Sequence, residues 1–114
     1  MASSSHLVVD FRGVAPALLR DLALVHSMLI AAAGAAGFSA VAAPAVGHRP
    51  DDGVSALVLL DAGHVAVHTF PERGVLLLDV LLAGGRDGRK ALDVFARRLA
   101  GAEVKVQSEV RERG

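Results

Sequence analysis

The sequence contains no cysteine, tryptophan or tyrosine among its 114 residues, and its aromatic side chains are four phenylalanines. The lack of cysteine excludes disulfide bonds, thiolate catalysis and cysteine-bound zinc. It is compatible with a cytoplasmic protein, which is the location that we expect. Single-stranded nucleic acid is bound largely by stacking on aromatic side chains, so their scarcity argues against such a partner.

The sequence also lacks an excess of charge of either sign, since 12 basic side chains balance 12 acidic ones. Nucleic-acid binding normally leaves a basic footprint, so we expect no nucleic-acid partner. The first six residues place no basic region before an apolar run, so no signal peptide is expected. The longest apolar stretch, residues 22–46, is interrupted by polar residues, glycines and a proline, which argues against a membrane span.

Apolar residues make up 53% of the chain, enough to form the core of a single domain over residues 1–114. One helix is predicted to begin near Pro16 and to be closed by Gly34 and Gly37, and a second to cover 89–100. The resulting order, β-α-β-β-β-β-α-β, predicts an α/β fold of the α+β sandwich type, with two helices on one face of an antiparallel sheet. The tail 111–114 is expected to fray. Strands are predicted over 6–11, 38–46, 55–60, 64–69, 75–82 and 103–110.

Two histidines stand out in the predicted strand 64–69, where His64, Ala66 and His68 share one face. An imidazole can act as a general acid or base at neutral pH, which makes His68 the main catalytic candidate. The pattern alone favours a structural histidine bonded to the backbone. Two histidines on one face could also bind a metal, but no third ligand lies at a telling spacing, so no metal is expected.

Other polar residues have both a functional and a structural interpretation. Ser55 could orient a histidine or contact a substrate, although no G-x-S-x-G motif surrounds it, which argues against a hydrolase. Arg49 could bind a carboxylate or phosphate, and Glu72 a hydroxyl or amine, or both could simply be solvated. Asp10 and Asp79 interrupt apolar strands, so each is expected to have a partner.

Residues 53–72 resemble the core of the prokaryotic S-adenosylmethionine decarboxylases. That family shows Gly-Val-Ser, an apolar strand, Ser-Glu-Ser-His, an alternating strand and His-Thr-Trp-Pro-Glu. This chain has Gly-Val-Ser at 53–55 and His-Thr-Phe-Pro-Glu at 68–72. The likeness extends to residues 6–10 and 79–80, so it covers nearly the whole chain. It implies an α/β sandwich that dimerises, with substrate sites near the protomer interface.

The same resemblance raises the question of the cofactor. Members of the family cut their own chain before a serine, which becomes a pyruvoyl group and serves as an electron sink for decarboxylation. The resemblance places Gly63 at that serine, Ala62 at the preceding glutamate and Ala83 at a catalytic cysteine. Glycine has no hydroxyl to attack the preceding carbonyl, so we expect no cofactor and interpret these three residues as a degenerate former cofactor site.

The resemblance also implies which residues form the remaining site. Ser55 and His68 fall on positions that assist self-processing in the family, and we interpret them as the catalytic residues. Arg49 stands where an aromatic residue that stacks on adenine is expected. The predicted substrate contacts are Glu72, Phe70, His64 and Arg49.

These observations predict a divergent homologue repurposed as a pyruvoyl-independent biosynthetic enzyme of lyase or isomerase type. His68 would perform acid–base chemistry on an amino-acid- or nucleoside-like small molecule that carries its own electron sink. The reaction could be a decarboxylation, elimination, isomerisation or cyclisation. The alternatives are a catalytically dead homologue that binds a ligand or regulates an active decarboxylase, and a structural dimer. A homodimer is expected in each case.

Overall fold

Six antiparallel strands form one sheet in the computed structural model, which describes residues 3–37 and 39–113. A single 3-10 turn, Pro71–Arg73, links the fourth strand to the fifth. The helices are α1 (Pro16–Leu19), α2 (Leu22–Ala35) and α3 (Arg89–Arg98). The strands are β1 (Ser3–Arg12), β2 (Ala45–His48), β3 (Val54–Leu60), β4 (Gly63–Phe70), β5 (Val75–Ala83) and β6 (Glu103–Arg113).

The strand order across the sheet is β2-β3-β4-β5-β1-β6, and every neighbouring pair is antiparallel. The two longer helices, α2 and α3, pack together and cover one face of this sheet. The predicted fold class and element order are therefore confirmed. No helix in the described ranges is long and apolar enough to cross a membrane.

The core lies between the sheet and the helices because alternate strand residues point to that side. In β4, Val65 and Val67 are fully buried, and they face apolar side chains of α2 such as Leu29. Phe11 of β1 and Phe95 of α3 join the two layers, with ring centroids 6.3 Å apart.

The opposite face of the sheet has no helix over it. It carries the exposed side chains of β3 and the outward residues of β4 and β5, because the strand alternation sends them away from the core. Large apolar side chains remain exposed on this open face, namely Leu57, Leu59, Leu81 and Val110.

The first helix is not continuous, contrary to the sequence prediction. The backbone leaves the helical conformation at Asp21, whose side chain accepts a hydrogen bond from the amide of Leu24 at 3.0 Å. This aspartate caps α2 and leaves α1 as a single turn, because a capping carboxylate satisfies an amide that the helix itself cannot.

The second strand is shorter and later than predicted. Residues 39–44 form no strand apart from an isolated bridge between Ala40 and Leu60, and the predicted start at Phe38 lies outside the described residues. Pro44 has no amide hydrogen to donate, so regular pairing begins only at Ala45. The strand also extends past its predicted end at Val46 and includes Gly47 and His48.

The last strand is longer than predicted. Residues 111–113 were expected to fray, but they continue β6, and Arg111 pairs with Ser5 of β1. The pairing continues because β1 begins at Ser3 and offers backbone partners along this length. Gly114 lies outside the described residues.

Candidate functional site

The β3–β4 hairpin places Ser55 and His68 directly opposite each other. Both side chains leave the sheet on the open face, and the Oγ atom of Ser55 lies 2.8 Å from Nδ1 of His68. Ser55 is half-buried and His68 is exposed. The two residues interpreted as catalytic are thus in hydrogen-bond contact, in a position from which the imidazole can reach a ligand.

Arg49, in the loop between β2 and β3, completes this contact. Its Nη1 donates to the Oγ of Ser55 at 2.8 Å and to the carbonyl of Val54 at 3.1 Å. Its Nη2 donates to the carbonyl of Thr69. Its Nε lies 3.2 Å from the carboxylate of Asp51. These contacts hold the guanidinium against the hairpin, and the predicted role of Arg49 in binding substrate stays a prediction.

The loop before β3 is shaped to admit this arginine. A Cβ atom at Gly53 would overlap the guanidinium of Arg49 and lie 2.5 Å from the carbonyl oxygen of Thr69. The amide of Gly53 donates to Asp51 at 3.1 Å. This bond, followed by the bond from Arg49, holds the pKa of Asp51 below its ordinary value. The glycine of the Gly-Val-Ser motif therefore makes room for Arg49.

A groove of about 490 Å³ lies beside this arrangement, between β2 and the adjoining parts of β3 and β4. Most of its lining is apolar, and its polar lining residues are His48, Arg49, Ser55 and His68. His48 is anchored by its Nε2, which donates to the carbonyl of Arg20 at 3.0 Å. No acidic side chain among the described residues lines the groove.

Thr69 is a structural residue of this site that the sequence analysis missed. It is fully buried, its Oγ1 donates to the carbonyl of Leu19 at 2.6 Å, and the same atom accepts from the amide of Val54 at 2.9 Å. These bonds fasten the open end of the hairpin to the end of α1. A lone hydroxyl on the buried face of an otherwise apolar strand was the signal for it.

Neither Phe70 nor Glu72 of the His-Thr-Phe-Pro-Glu motif is among the described residues that line the groove. The ring of Phe70 is flanked by two guanidinium groups, at 4.7 Å for Arg49 and 4.6 Å for Arg73. Such cation–π contacts fix the ring against the loop. Glu72 lies in the exposed 3-10 turn. The predicted substrate contacts of Phe70 and Glu72 stay predictions.

His64 lies apart from His68, although both occupy the same face of β4. They are four positions apart in sequence, which is roughly 13 Å along a strand. The Nε2 of His64 lies 3.3 Å from Oδ1 of Asp79, and the Nε2 of His6 lies 2.9 Å from the same oxygen. Within residues 3–37 and 39–113, no group of three or more histidine or acidic side chains could hold a metal ion.

Both carboxylates that interrupt the strands have partners, as the sequence analysis expected. Asp79 has the two histidines just described, and Asp10 accepts from Arg12 at 3.0 Å and from Gln107 at 2.8 Å. Asp10 is nearly buried, so these two bonds compensate for the loss of its hydration.

Comparison with known proteins identifies the family. A model of the family described as S-adenosylmethionine decarboxylase matches residues 5–112. The chain belongs to this family.

Individual relatives agree with this assignment. The S-adenosylmethionine decarboxylase proenzyme of Brevibacillus brevis is 38% identical over 79 residues, which are 69% of this chain and 59% of that protein. A proenzyme 2 of the same name from Bacillus cereus is 29% identical over 107 residues, covering 93% of this chain and 86% of the relative. The crystal structure of the adenosylmethionine decarboxylase from Aquifex aeolicus superposes with a TM-score of 0.79 at 21% identity, over 96% of this chain and 88% of the other, and thus shares the fold.

The three residues predicted to form a degenerate former cofactor site, Ala62, Gly63 and Ala83, lie close together at the turn end of the hairpin. The amide of Ala83 donates to the carbonyl of Ala62 at 2.8 Å, and Gly63 pairs with Leu82. Gly63 has a φ of 149°, and a Cβ atom there would overlap the backbone carbonyl of Leu81. A glycine packed in this way offers no hydroxyl, so the residues present do not fit a serine-derived pyruvoyl group.

Proposed function

We propose that this member of the S-adenosylmethionine decarboxylase family is a pyruvoyl-independent biosynthetic enzyme, in which His68 transfers a proton on a small molecule. The observation that carries the proposal is the hydrogen bond between Ser55 and His68 beside an open groove. The three positions that the family resemblance links to the pyruvoyl group hold Ala62, Gly63 and, on β5, Ala83, and none of these side chains can supply an electron sink. The acid–base pair is therefore present, whereas the electron sink of the family is not.

Energetics restrict the reaction class. Loss of carbon dioxide from an unactivated amino acid leaves a carbanion that a protein side chain cannot delocalise. A histidine acting as general acid or base contributes only about 10²- to 10⁴-fold, or roughly 3 to 5 kcal/mol. The substrate must therefore carry its own electron sink, so that proton transfer by His68 is sufficient. Decarboxylation of an activated acid, elimination, isomerisation and cyclisation satisfy this condition.

The groove supports a division of roles among its residues. Ser55 orients the imidazole of His68, and the apolar walls exclude water from one side of a bound ligand. Phe70 contacts Arg49, which lines the groove, and we propose that Phe70 and Glu72 contact the outer part of an amino-acid- or nucleoside-like substrate. We place this activity in the cytoplasm, with which the cysteine-free sequence is compatible.

The experiment measures two reactions with the purified protein. Labelled carbon dioxide release from S-adenosylmethionine should stay at background. A panel of β-oxo acids, which carry their own electron sink, should include a substrate whose turnover falls at least about tenfold in His68→Ala. His26→Ala, which removes an exposed histidine of α2, is the matched control and should retain full turnover.

Three outcomes would contradict the proposal. Robust carbon dioxide release from S-adenosylmethionine would mean that the protein catalyses the decarboxylation for which the family is named. Unchanged turnover in His68→Ala would mean that this histidine has a structural role and not a catalytic one. Turnover of no panel member would favour the non-catalytic homologue that binds a ligand or regulates an active decarboxylase.

We further propose a homodimer formed through the open face of the sheet. The apolar side chains of Leu57, Leu59, Leu81 and Val110 are between 37% and 50% exposed there. Leu57 also lines the groove, so a partner on this face would lie near the substrate. Light scattering should give at least twice the protomer mass of 11.7 kDa. Leu59→Asp should lower the measured mass towards that of a monomer, whereas Ile30→Asp, on the helical layer, should leave it unchanged.

A further inference from the structure

We propose that Arg49, acting through Ser55, holds neutral His68 in the tautomer that carries its proton on Nε2. The groove then presents a fixed N–H donor and takes ligands with a carboxylate or another anionic oxygen beside His68. The ligand class rests on the proposed function, because it assumes that substrate binds in this groove. The assignment of the tautomer does not depend on it.

The direction of the hydrogen bonds follows from what each group can do. A guanidinium has no acceptor atom, so Arg49 can only donate to the Oγ of Ser55. The hydroxyl hydrogen of Ser55 then needs an acceptor of its own. Within the described ranges the Oγ has one other neighbour at hydrogen-bonding distance, the Nδ1 of His68 at 2.8 Å.

If Ser55 donates to His68, then Arg49, Ser55 and His68 each have a hydrogen-bond partner. The chain then runs from Arg49 to Ser55 to His68, and each donor has one acceptor. If His68 donated through Nδ1 instead, the hydroxyl oxygen would receive two hydrogens and its own hydrogen would lose its protein acceptor. A neutral imidazole with a lone pair at Nδ1 must carry its proton at Nε2.

Arg49 is held firmly enough to impose this order. Its side chain is 24% exposed and bonds to the backbone on both sides of the hairpin, at Val54 and Thr69. Its guanidinium also lies over the ring of Phe70. A fork with five donors in fixed geometry can satisfy these partners at once, which a lysine cannot. Arg49 is therefore a positioning residue that acts on the ligand through His68.

The groove matches a ligand that accepts hydrogen bonds. Among the residues that the structure describes, its polar lining is His48, Arg49, Ser55 and His68, with no acidic side chain. The donors of Arg49 and the Nε2 of His48 are engaged by other protein groups, which leaves the Nε2–H of His68 to meet a ligand. Asp51, the nearest carboxylate described above, is engaged by Arg49 and by the amide of Gly53. An anionic oxygen at Nε2 of His68 would therefore meet a donor without facing a competing carboxylate, whereas a cation would find no carboxylate in this lining.

The first test is a long-range ¹H–¹⁵N spectrum of the histidine rings at about pH 8, where an imidazole with an ordinary pKa near 6.5 is neutral. The signals of His68 are assigned by their loss in His68→Ala. We expect the Nε2–H form to exceed the Nδ1–H form by at least about tenfold, equivalent to about 1.4 kcal/mol. Arg49→Gln should bring the two forms to within a few-fold of each other.

Arg73→Gln is the matched control, because Arg73 also lies over Phe70 but makes no bond to Ser55. It should leave the tautomer ratio unchanged. If Arg49→Gln does not fold, Ser55→Ala removes the hydroxyl that relays the effect and should collapse the ratio in the same way. A dominant Nδ1–H form in the wild type, or an unchanged ratio in Arg49→Gln or Ser55→Ala, would overturn the proposal.

The second test titrates two probes of matched size, propionate and propylammonium, while the ring signals of His68 are followed. Propionate should shift Nε2 in a saturable way, and propylammonium should not. An equal or larger effect of propylammonium, or no effect of either probe, would overturn the ligand class. Full turnover in His68→Ala would refute the proposed enzyme but leave the tautomer assignment standing, so the two failures are distinguishable.

Discussion

The two ends of the β3–β4 hairpin share one antiparallel ladder but differ in the chemistry of their side chains. At the open end, Ser55 and His68 form a hydrogen bond and Arg49 supports it. At the turn end, roughly 17 Å away along β4, Ala62 and Gly63 carry no reactive group. Backbone pairing is thus preserved along the whole hairpin, while the two hairpin positions predicted for the former cofactor site, Ala62 and Gly63, carry no functional group. A fold can keep its scaffold and change its chemistry one side chain at a time.

Each end depends on a glycine, for a different physical reason. Gly63 packs against the backbone carbonyl of Leu81, where a Cβ atom would overlap fixed main-chain atoms. A Cβ atom at Gly53 would meet the side chain of Arg49, which could swing away, and would lie 2.5 Å from the main-chain oxygen of Thr69. At Gly63 the main-chain oxygen of Leu81 would lie closer still, and the φ of 149° also favours glycine. The turn end is therefore the less tolerant of the two, and this difference can be measured.

The largest expected effect is at the turn end. Gly63→Ser should lower the free energy of unfolding by about 3 kcal/mol, because the serine would adopt a backbone conformation that favours glycine while its Cβ overlaps the Leu81 carbonyl. Urea unfolding measures this loss. Gly34→Ala, in a helix with open space around the position, should instead stabilise the protein by about 0.5 to 1 kcal/mol.

Intact-mass measurement tests self-processing. It should show one full-length chain for the wild type, because glycine at residue 63 has no hydroxyl to attack the preceding carbonyl. Two fragments split beside residue 63 in the wild type would contradict the expectation of an unprocessed protein.

A smaller loss of stability should distinguish the structural residue Thr69 from the proposed catalytic residue His68 at the open end. Thr69→Val would leave the Val54 amide and the Leu19 carbonyl without their buried partner, at a cost of about 2 kcal/mol. His68→Ala, at an exposed position next to it, should change stability by no more than about 0.5 kcal/mol. Thermal and urea unfolding compare the two. Equal losses would mean that His68 is part of the structural framework.

The smallest effect concerns the loop that carries Arg49. The amide of Gly53, and then Arg49, hold the pKa of Asp51 below its ordinary value, so the folded state binds fewer protons there than the unfolded state. This contribution to stability is complete above the ordinary pKa and is lost as the pH falls through the folded-state pKa. In Asp51→Asn, the free energy of unfolding should therefore fall less steeply as the pH is lowered. A carboxyl titration of Asp51 at or above its ordinary pKa would contradict this expectation.

The sequence indicated which residues at the open end of the hairpin could be functional, but it did not give the hydrogen bonds that these residues make. The alternation in 64–69 placed His64 and His68 on one face, and the motif Gly-Val-Ser indicated a role for Ser55. Pairing of Ser55 with His68 depends on the hairpin register, which the sequence did not specify to the residue. The bonds of Arg49 depend on a loop conformation that no periodicity encodes.

The fold was predicted more completely than its boundaries. The strand and helix order, the antiparallel sheet and the single covered face all follow from hydrophobic periodicity, which is a local property of the chain. The division of the first helix at Asp21 and the late start of β2 depend on one capping carboxylate and one proline. Individual residues of this kind override propensity locally, so boundaries are less predictable than elements.

By itself, the sequence determined the fold class, the face on which the two histidines of β4 lie, and the absence of a hydroxyl at residue 63. Those properties depend on residue type and on the spacing of neighbours along the chain. Only the tertiary structure separated His64, which pairs with Asp79, from His68, which pairs with Ser55. The physical reason is that a hydrogen bond requires its two atoms to lie about 3 Å apart. Strand register and loop path set that distance across the sheet.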